Sequence, residues 1–402
     1  MLIALAIIIS LSVLVIGHEL GHFIVGRLFK VGVEEFGVGY PPRLGGLTKV
    51  SGKHKLLFFG KTTSGKYKFF FGKNIPKENH GTIYSLNWIP FGGFNRFRGE
   101  EAGTSQAKDN LYAKPWWQRF LVVWAGAAMN VVLAIILLSF SSLFGSYQEI
   151  TPELLQSHLT IRDVSVRIIS VADKSPADLA GIKLNDKLLG VDGKLFSEVA
   201  PLQDYLKAKL NQPVQVQIQR GQQISTLAIT PKLAKDIFSD STLQGAAIGV
   251  SIAKVGRVYY PFFRGLWNGL TRAFWMIIAI VSAFYDFFAA LIIQHKMIAQ
   301  AAGVVGLAAM TAQAAQAGIV YLSQFVASIS LLIAITQLIP FPALDGGRGL
   351  FFLIEGIFRR PVNPKVENMI NNVGFSLLII LMIYVTYKDI IRVGGKIFHV
   401  SS

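Results

Sequence analysis

The sequence predicts a polytopic α-helical membrane protein of about four transmembrane helices, with a strand-rich, membrane-associated hairpin region and one inserted α+β domain. Three observations predict it. The 402 residues are 52% hydrophobic and 15% charged, with a mean hydropathy of +0.47, too apolar for an ordinary soluble chain. Apolar runs recur that are long enough, at about 1.5 Å per residue, to cross a bilayer. Between two of them lies a stretch of mixed polarity and balanced charge, as a folded aqueous domain requires.

The net charge of +16 is unevenly placed. Residues 27–119 carry 16 Lys and Arg against 6 Asp and Glu, whereas residues 146–257 carry 13 against 11. The excess sits in the loop after the first apolar run, which the positive-inside rule assigns to the cytoplasm. Charge here reports topology, so the expected partner is a lipid bilayer and no nucleic acid. The absence of cysteine removes disulfides, thiol nucleophiles and thiolate metal sites, leaving His, Asp, Glu or amide oxygen to hold any metal.

Residues 1–29 read as the first transmembrane helix. Met1 is followed directly by Leu2, Ile3 and Ala4, with no basic leader and no small-residue exit, so this helix is expected to stay in the mature protein. Residues 30–116 form a cytoplasmic or membrane-associated loop whose mixed runs, 67–71 and 83–88 among them, predict short strands joined by glycine turns. Gly37, Gly39, Gly92 and Gly93 permit close backbone approach, and open strand edges in lipid must be shielded by protein or water. Residues 117–144 are the second span, with the interfacial pair Trp116 and Trp117 at its start and an intramembrane amide at Asn130 behind a run of small residues. Residues 160–233 are the α+β domain, expected across the membrane from the basic loop, with strands at 166–171 and 214–218 and a helix at 201–210. Residues 257–297 carry Arg264, Arg272 and Asp286 in an apolar helix that either spans or lies on the membrane surface. Residues 320–352 and 368–388 are the third and fourth spans.

His18-Glu19-Leu20-Gly21-His22 is the H-E-x-x-H pattern. On a helix, residues four apart are offset by about 40°, so both imidazoles reach one zinc ion while Glu19 stands beside it as a base. Two histidines and a carboxylate on one turn of a membrane helix are costly unless they face a metal or a polar cavity. A catalytic zinc needs a third ligand, for which Asp345 is the candidate, in Leu344-Asp345-Gly346-Gly347 just beyond Pro340 and Pro342. Both ligand regions lie toward the C-terminal ends of their helices, so these helices should run in the same direction; with residues 262–293 on the surface, four spans result. His54, His80, His158, His295 and His399 are read as surface or structural histidines.

These residues carry a resemblance to the site-2 protease family of intramembrane zinc metalloproteases, specifically the bacterial regulator-of-sigma-E type, over nearly the whole chain. His18, Glu19 and His22 match its zinc-and-base motif, and Pro340-Phe341-Pro342-Ala343-Leu344-Asp345-Gly346-Gly347 matches its second signature. Gly37, Gly39 and Pro90-Phe91-Gly92-Gly93-Phe94, with Gly99-Glu100 after them, resemble the strand region thought to guide substrate toward the zinc. The 125–130 segment resembles the second-span motif, with Ala127 where proline is common, and Gln337 stands where asparagine is usual. Ser175-Pro176-Ala177, Ala180-Gly181, Asp186, Leu188 and Asp192-Gly193 resemble the PDZ domain inserted in this family, either capturing peptide ends or excluding bulky ectodomains.

The resemblance implies an intramembrane zinc endopeptidase of the bacterial inner membrane with its PDZ-like domain extracytoplasmic. It implies zinc on His18, His22 and Asp345, Glu19 as catalytic base, and substrate contacts from Asn130, Gln337, Gly37, Gly39, Phe91, Gly92 and Gly93. Expected substrates are transmembrane proteins, such as an anti-sigma factor first cut by an upstream site-1 protease, or signal-peptide remnants. The alternative from another class is a catalytically inactive zinc-binding PDZ scaffold or receptor. A metal transporter fits poorly, because no inverted repeat is evident and a base stands beside the ligands.

Overall fold

The computed structural model describes residues 2–50, 53–58, 81–99, 109–172, 174–196, 198–238, 245–293, 303–360 and 362–398. The strand expected at 67–71, together with Glu100, His80, His295 and His399, lies outside the described residues. The chain divides into two compact units, Met1–Phe140 with Leu266–Ser402, and Ser141–Gly265.

The first unit opens with α1 (Leu2–Leu28), an apolar helix free of proline. It closes where Lys30 turns left-handed at φ 56° and Val31 N–H returns to the Gly26 carbonyl at 2.8 Å, satisfying a carbonyl of the last turn. Three strands follow, β1 (Val33–Val50), β2 (Lys53–Phe58) and β3 (Ile83–Phe97), in the order β2-β1-β3. β1 pairs with both halves of β3, so that Gly37 lies opposite Phe94 on one side and Ser85 on the other. The second half of β3 runs alongside α1: Ser12 Oγ donates to the Pro90 carbonyl at 2.9 Å, and a Cβ on Gly92 or Gly93 would press on Val15 or Ile16. The alternation in the first half of β3 is inverted relative to a sheet in water, because Ser85 and Asn87 are buried while Tyr84, Leu86 and Trp88 are exposed. Glu35, 2% exposed, is held by a two-pronged bond from Arg43 at 2.8 and 3.1 Å, which neutralises the one buried carboxylate of this sheet's described residues. The sheet leads to α2 (Trp116–Leu143).

The second unit holds β4 (Ser146–Glu149), α3 (Pro152–Gln156), β5 (Thr160–Val171), α4 (Pro176–Leu179), β6 (Lys187–Val191) and β7 (Lys194–Leu195). It continues through α5 (Val199–Lys207), β8 (Val214–Arg220), β9 (Gln223–Ile229), β10 (Lys232–Leu233), α6 (Ala234–Phe238), β11 (Ala246–Ala247) and β12 (Val250–Tyr259). The main sheet runs β4-β12-β5-β6-β8-β9, with β7 on β6. Alternate residues of β8, Val214, Val216 and Ile218, are buried with Val166, Ile168, Leu188 and Leu202 in one apolar core. The expected helix at 201–210 is Val199–Lys207, and the expected strands lie within longer ones. The compact unit reaches beyond 160–233 because β12 pairs with β5 and carries β4 on its other edge. Asp186 is buried but compensated by Arg220, whose Nε and Nη2 reach it at 2.7 and 2.6 Å.

The chain re-enters the first unit through α7 (Phe262–Ile293), followed by α8 (Val304–Ala317), α9 (Ile319–Leu338), α10 (Asp345–Phe358) and α11 (Pro364–Phe398). Five described helices are long and apolar enough to cross a membrane, Ile3–Leu28, Trp116–Leu143, Phe262–Ala290, Ile319–Leu338 and Lys365–Lys388, so this is a multi-pass membrane protein. The segment read as one span over 320–352 is two helices. α9 stops at Leu338, because Pro340 and Pro342 offer no N–H to continue it, and α10 starts at Asp345. Small residues let α2, α7 and α9 meet, with Ala134, Ala273 and Ala327 packed around Leu138 and Leu331. Arg119, buried on α2, pairs with Glu355 of α10 and lies 4.8 Å from the Phe352 ring centroid. Beside it Tyr112 donates to Glu367 of α11 at 3.2 Å; burial and that carboxylate push the Tyr112 phenol up to about 12.

Candidate metal centre

His18 and His22 stand one turn apart on α1 and are 8% and 9% exposed. Their Nε2 atoms are 3.1 Å apart. Asp345, the first residue of α10, places Oδ2 at 3.0 Å from His18 Nε2 and 3.3 Å from His22 Nε2. Ligand atoms bonded to zinc at about 2.0–2.1 Å in a tetrahedral arrangement lie roughly 3.3 Å apart, close to all three edges of this triangle. Asp345 Oδ2 is buried and has no hydrogen bond, as suits an atom that serves as a metal ligand. His22 Nδ1 lies 2.8 Å from the Val122 carbonyl, which only accepts, so the ring proton sits on Nδ1 and the Nε2 lone pair is free for metal. Donor chemistry, spacing and tautomer all fit zinc.

The neighbouring elements are shaped to admit this cluster. A Cβ on Gly126 of α2 would lie 2.4 Å from His22 Nε2 and 2.7 Å from His18 Nε2, so only glycine leaves room for the two imidazoles. Gly21 of α1 faces α2 in turn, where a Cβ would come within 2.2 Å of the Ala125 carbonyl oxygen. The pair Gly346 and Gly347 lets the first turn of α10 fold back on the broken end of α9; side chains there would strike the carbonyls of Ile339 and Phe341 at 2.2 and 2.3 Å. Ala343, in the turn before Asp345, has φ 72°, a left-handed conformation unusual for alanine.

Glu19 lies beside the triangle in a cavity of about 350 Å³ that is also lined by Tyr40, Gly93, Asn95, Gln337 and Arg348. Asn95 of β3 donates from Nδ2 to Glu19 Oε2 at 2.9 Å and also to the Glu19 backbone carbonyl. Burial raises the Tyr40 phenol, and the Glu19 charge adds to it, so Tyr40 stays protonated.

The structure distributes the sequence candidates unequally. His18, His22 and Asp345 converge, and Glu19 joins them. Gln337 lines the cavity, and its Oε1 accepts from Asp345 N–H at 3.4 Å. Gly93 also lines the cavity, whereas Gly37 serves the sheet, giving space to the Phe94 ring. Gly39 and Gly92 have φ of 78° and 71°, and Phe91 is exposed. Asn130 is fully buried and does not line the cavity. Asn95 and the need for Gly126 escaped the sequence reading. Asn95 meets Glu19 across 76 residues, and the only available signal was an amide next to the Phe91–Phe94 glycine segment.

The chain matches the model of peptidase family M50 over residues 6–60 and 57–381. It is 31% identical over 385 residues to a provisionally named zinc metalloprotease of Clostridium perfringens, covering 96% of this chain and 97% of that one. It is 24% identical to the zinc metalloprotease RasP of Geobacillus kaustophilus, covering 96% and 97%. A PDZ domain of an SdrC-like protein from Listeria monocytogenes aligns with 23% of this chain and 92% of its own, at 20% identity and a TM-score of 0.20. The ligand triangle, set among helices apolar enough to span a bilayer, agrees with the match over most of the chain: this protein belongs to peptidase family M50 and is a membrane-embedded zinc metalloprotease.

Proposed function

We propose that this protein hydrolyses peptide bonds within, or at the cytoplasmic edge of, transmembrane helices, with His18, His22 and Asp345 as zinc ligands and Glu19 as general base. The convergence of those three ligand atoms beside a carboxylate at a cavity carries the reading. When bound, zinc supplies Lewis-acid polarisation of the scissile carbonyl and an acidified water. Glu19 takes the proton of the attacking water on its carboxylate and returns it to the leaving amine nitrogen. Asn95 holds Glu19 Oε2, so the carboxylate is aimed before substrate arrives. Replacing Asn95 with Ala is expected to lower kcat by about 10–100-fold, the worth of one hydrogen bond to a charged group. KM and zinc content should stay unchanged; a raised KM with normal kcat contradicts this role.

A helical substrate has its carbonyls occupied, so cleavage requires local unwinding. The 93–97 half of β3 supports a place for the unwound strand, since among the described strands it pairs only with β1 and lies along α1. Gly37, Gly39, Phe91, Gly92 and Gly93 are read as shaping that margin, and Gln337 as an amide within reach of the substrate backbone. The exposed Tyr84, Leu86, Trp88, Ile89 and Phe91 support a membrane-associated position for the hairpin region. α1, α2, α9 and α11 are read as the four spans and α7 as a surface helix, supported by Arg264, Arg272 and Asp286 on α7. A tag after residue 402 should then be accessible from outside the cell; labelling only from the cytoplasm counts against four spans.

The second unit is read as an extracytoplasmic PDZ-like domain in the bacterial inner membrane, supported by its Ser175–Gly193 motif and its partly open sheet. Cleaved anti-sigma factors, supplied by an upstream site-1 protease, and signal-peptide remnants are the proposed substrates. Chelator treatment should abolish cleavage of short-ectodomain transmembrane proteins, and one equivalent of zinc should restore it. Undiminished cleavage by metal-free protein overturns the reading; stoichiometric zinc with substrate bound and never cut favours the scaffold.

A further inference from the structure

His18 gives its Nε2 to the ligand triangle, so when that lone pair is donated to a metal the ring proton must sit on Nδ1. A buried N–H of this kind needs an acceptor. The Asn130 side chain is within reach, its amide nitrogen 3.4 Å from His18 Nδ1. Written that way, two N–H groups confront each other while the opposite end of the same amide, Oδ1, is buried with no partner. A half-turn of the amide exchanges its oxygen and nitrogen without moving another atom, and it brings Oδ1 onto the His18 Nδ1–H.

Position along α2 strengthens this. Val122, Gly126 and Asn130 are spaced by four residues and therefore share one helix face. Val122 offers its carbonyl to His22 Nδ1, Gly126 makes room for both imidazoles, and Asn130 meets His18 Nδ1. The Asn130 carbonyl is fixed on α9 by Ser330 Oγ at 2.7 Å, so this part of α2 is anchored. With 0% exposure and no share in the cavity wall, Asn130 is out of contact with anything that fills the cavity.

We infer that Asn130 is a positioning residue for the zinc ligand His18, accepting its Nδ1–H through Oδ1 as the Val122 carbonyl does for His22, and that it does not bind substrate. The inference rests on the zinc site proposed above. It is tested on the full-length protein in lipid by competition between the protein and a zinc-chelating dye. Asn130→Leu is expected to weaken zinc binding by about 10–100-fold, as loss of an outer hydrogen bond to a ligating histidine does. Asn130→Asp keeps an oxygen acceptor and should bind within a few-fold of wild type. At saturating zinc, N130L should keep the wild-type KM for a transmembrane substrate. Zinc affinity equal to wild type in N130L, with a raised KM, overturns the inference in favour of substrate binding. Equal losses in N130L and N130D overturn it in favour of packing. Should N130L fail to fold, nitrogen NMR of histidine-labelled, zinc-loaded wild type decides: protected Nδ1–H signals are expected from both His18 and His22, and a signal from His22 alone contradicts the assignment. Wild type that binds no zinc defeats the metal reading itself, whereas wild type and N130L binding it equally defeat this inference alone.

Discussion

Replacing Glu19 with Gln is expected to leave one zinc per chain and to remove cleavage almost completely. The amide keeps the size of the carboxylate but cannot take a proton, and general acid–base catalysis is worth about 10²–10⁴-fold. Here the same group serves twice, on the water and on the leaving amine, so the loss should lie at the upper end of that range. The ligands should be undisturbed, because Glu19 is absent from the triangle formed by His18, His22 and Asp345. The amide oxygen that E19Q introduces can still accept from Asn95, so the packing of β3 against α1 should survive. Zinc content by elemental analysis and turnover on one substrate check both halves. Full activity in E19Q would assign the proton transfers to another group.

A single methyl group on α2 is expected to do comparable damage by a different route. In Gly126→Ala the new Cβ arrives 2.4 Å from His22 Nε2 and 2.6 Å from His18 Cε1. Real contacts of this kind start above 3 Å, so something must move. Parting the helices would break their close packing at Gly21 and Ala125 and draw the Val122 carbonyl of α2 away from His22 Nδ1. The imidazoles are left to swing out of the triangle. Zinc affinity should fall by at least about 100-fold, more than the roughly 10–100-fold typical of a disturbed outer partner, because the ligand atoms themselves are displaced. The fold should lose only about 1–3 kcal/mol, the usual cost of one surplus methyl in a packed interior. Zinc titration beside a thermal melt separates the two; wild-type zinc affinity in G126A contradicts the packing described for this face.

What could be read from the chain, and what could not, follows the range of the interactions. His18, Glu19 and His22 lie on one helical turn, so their convergence is a consequence of local geometry. Asp345 was reachable from its chemistry and from the prolines that end α9, although the contact with α1 spans more than 320 residues. The glycine pair after it looked like a turn; in the structure a Cβ on either would strike the carbonyls of Ile339 and Phe341. Asn95 gave only the weak signal of an amide beside the Phe91–Phe94 segment, and nothing near it in the chain hints at Glu19 as partner. Asn130 was legible as a costly intramembrane amide, but its placement behind His18, away from the cavity, depends on how α2 packs. Helix α8 and the outer strands β4 and β12 also went unseen, because short or unremarkable apolar patterns become elements only when neighbours cover them.

Zinc held by His18, His22 and Asp345, with Glu19 beside it, is expected to cut peptide bonds inside the membrane. Mass spectrometry of products from a transmembrane substrate with a short ectodomain, incubated in lipid with zinc-loaded wild type and with E19Q in parallel, tests it most directly. Two new termini within the apolar segment or at its cytoplasmic edge, from wild type only, are the predicted result. Termini confined to the aqueous ectodomain, or identical products from E19Q, would contradict it.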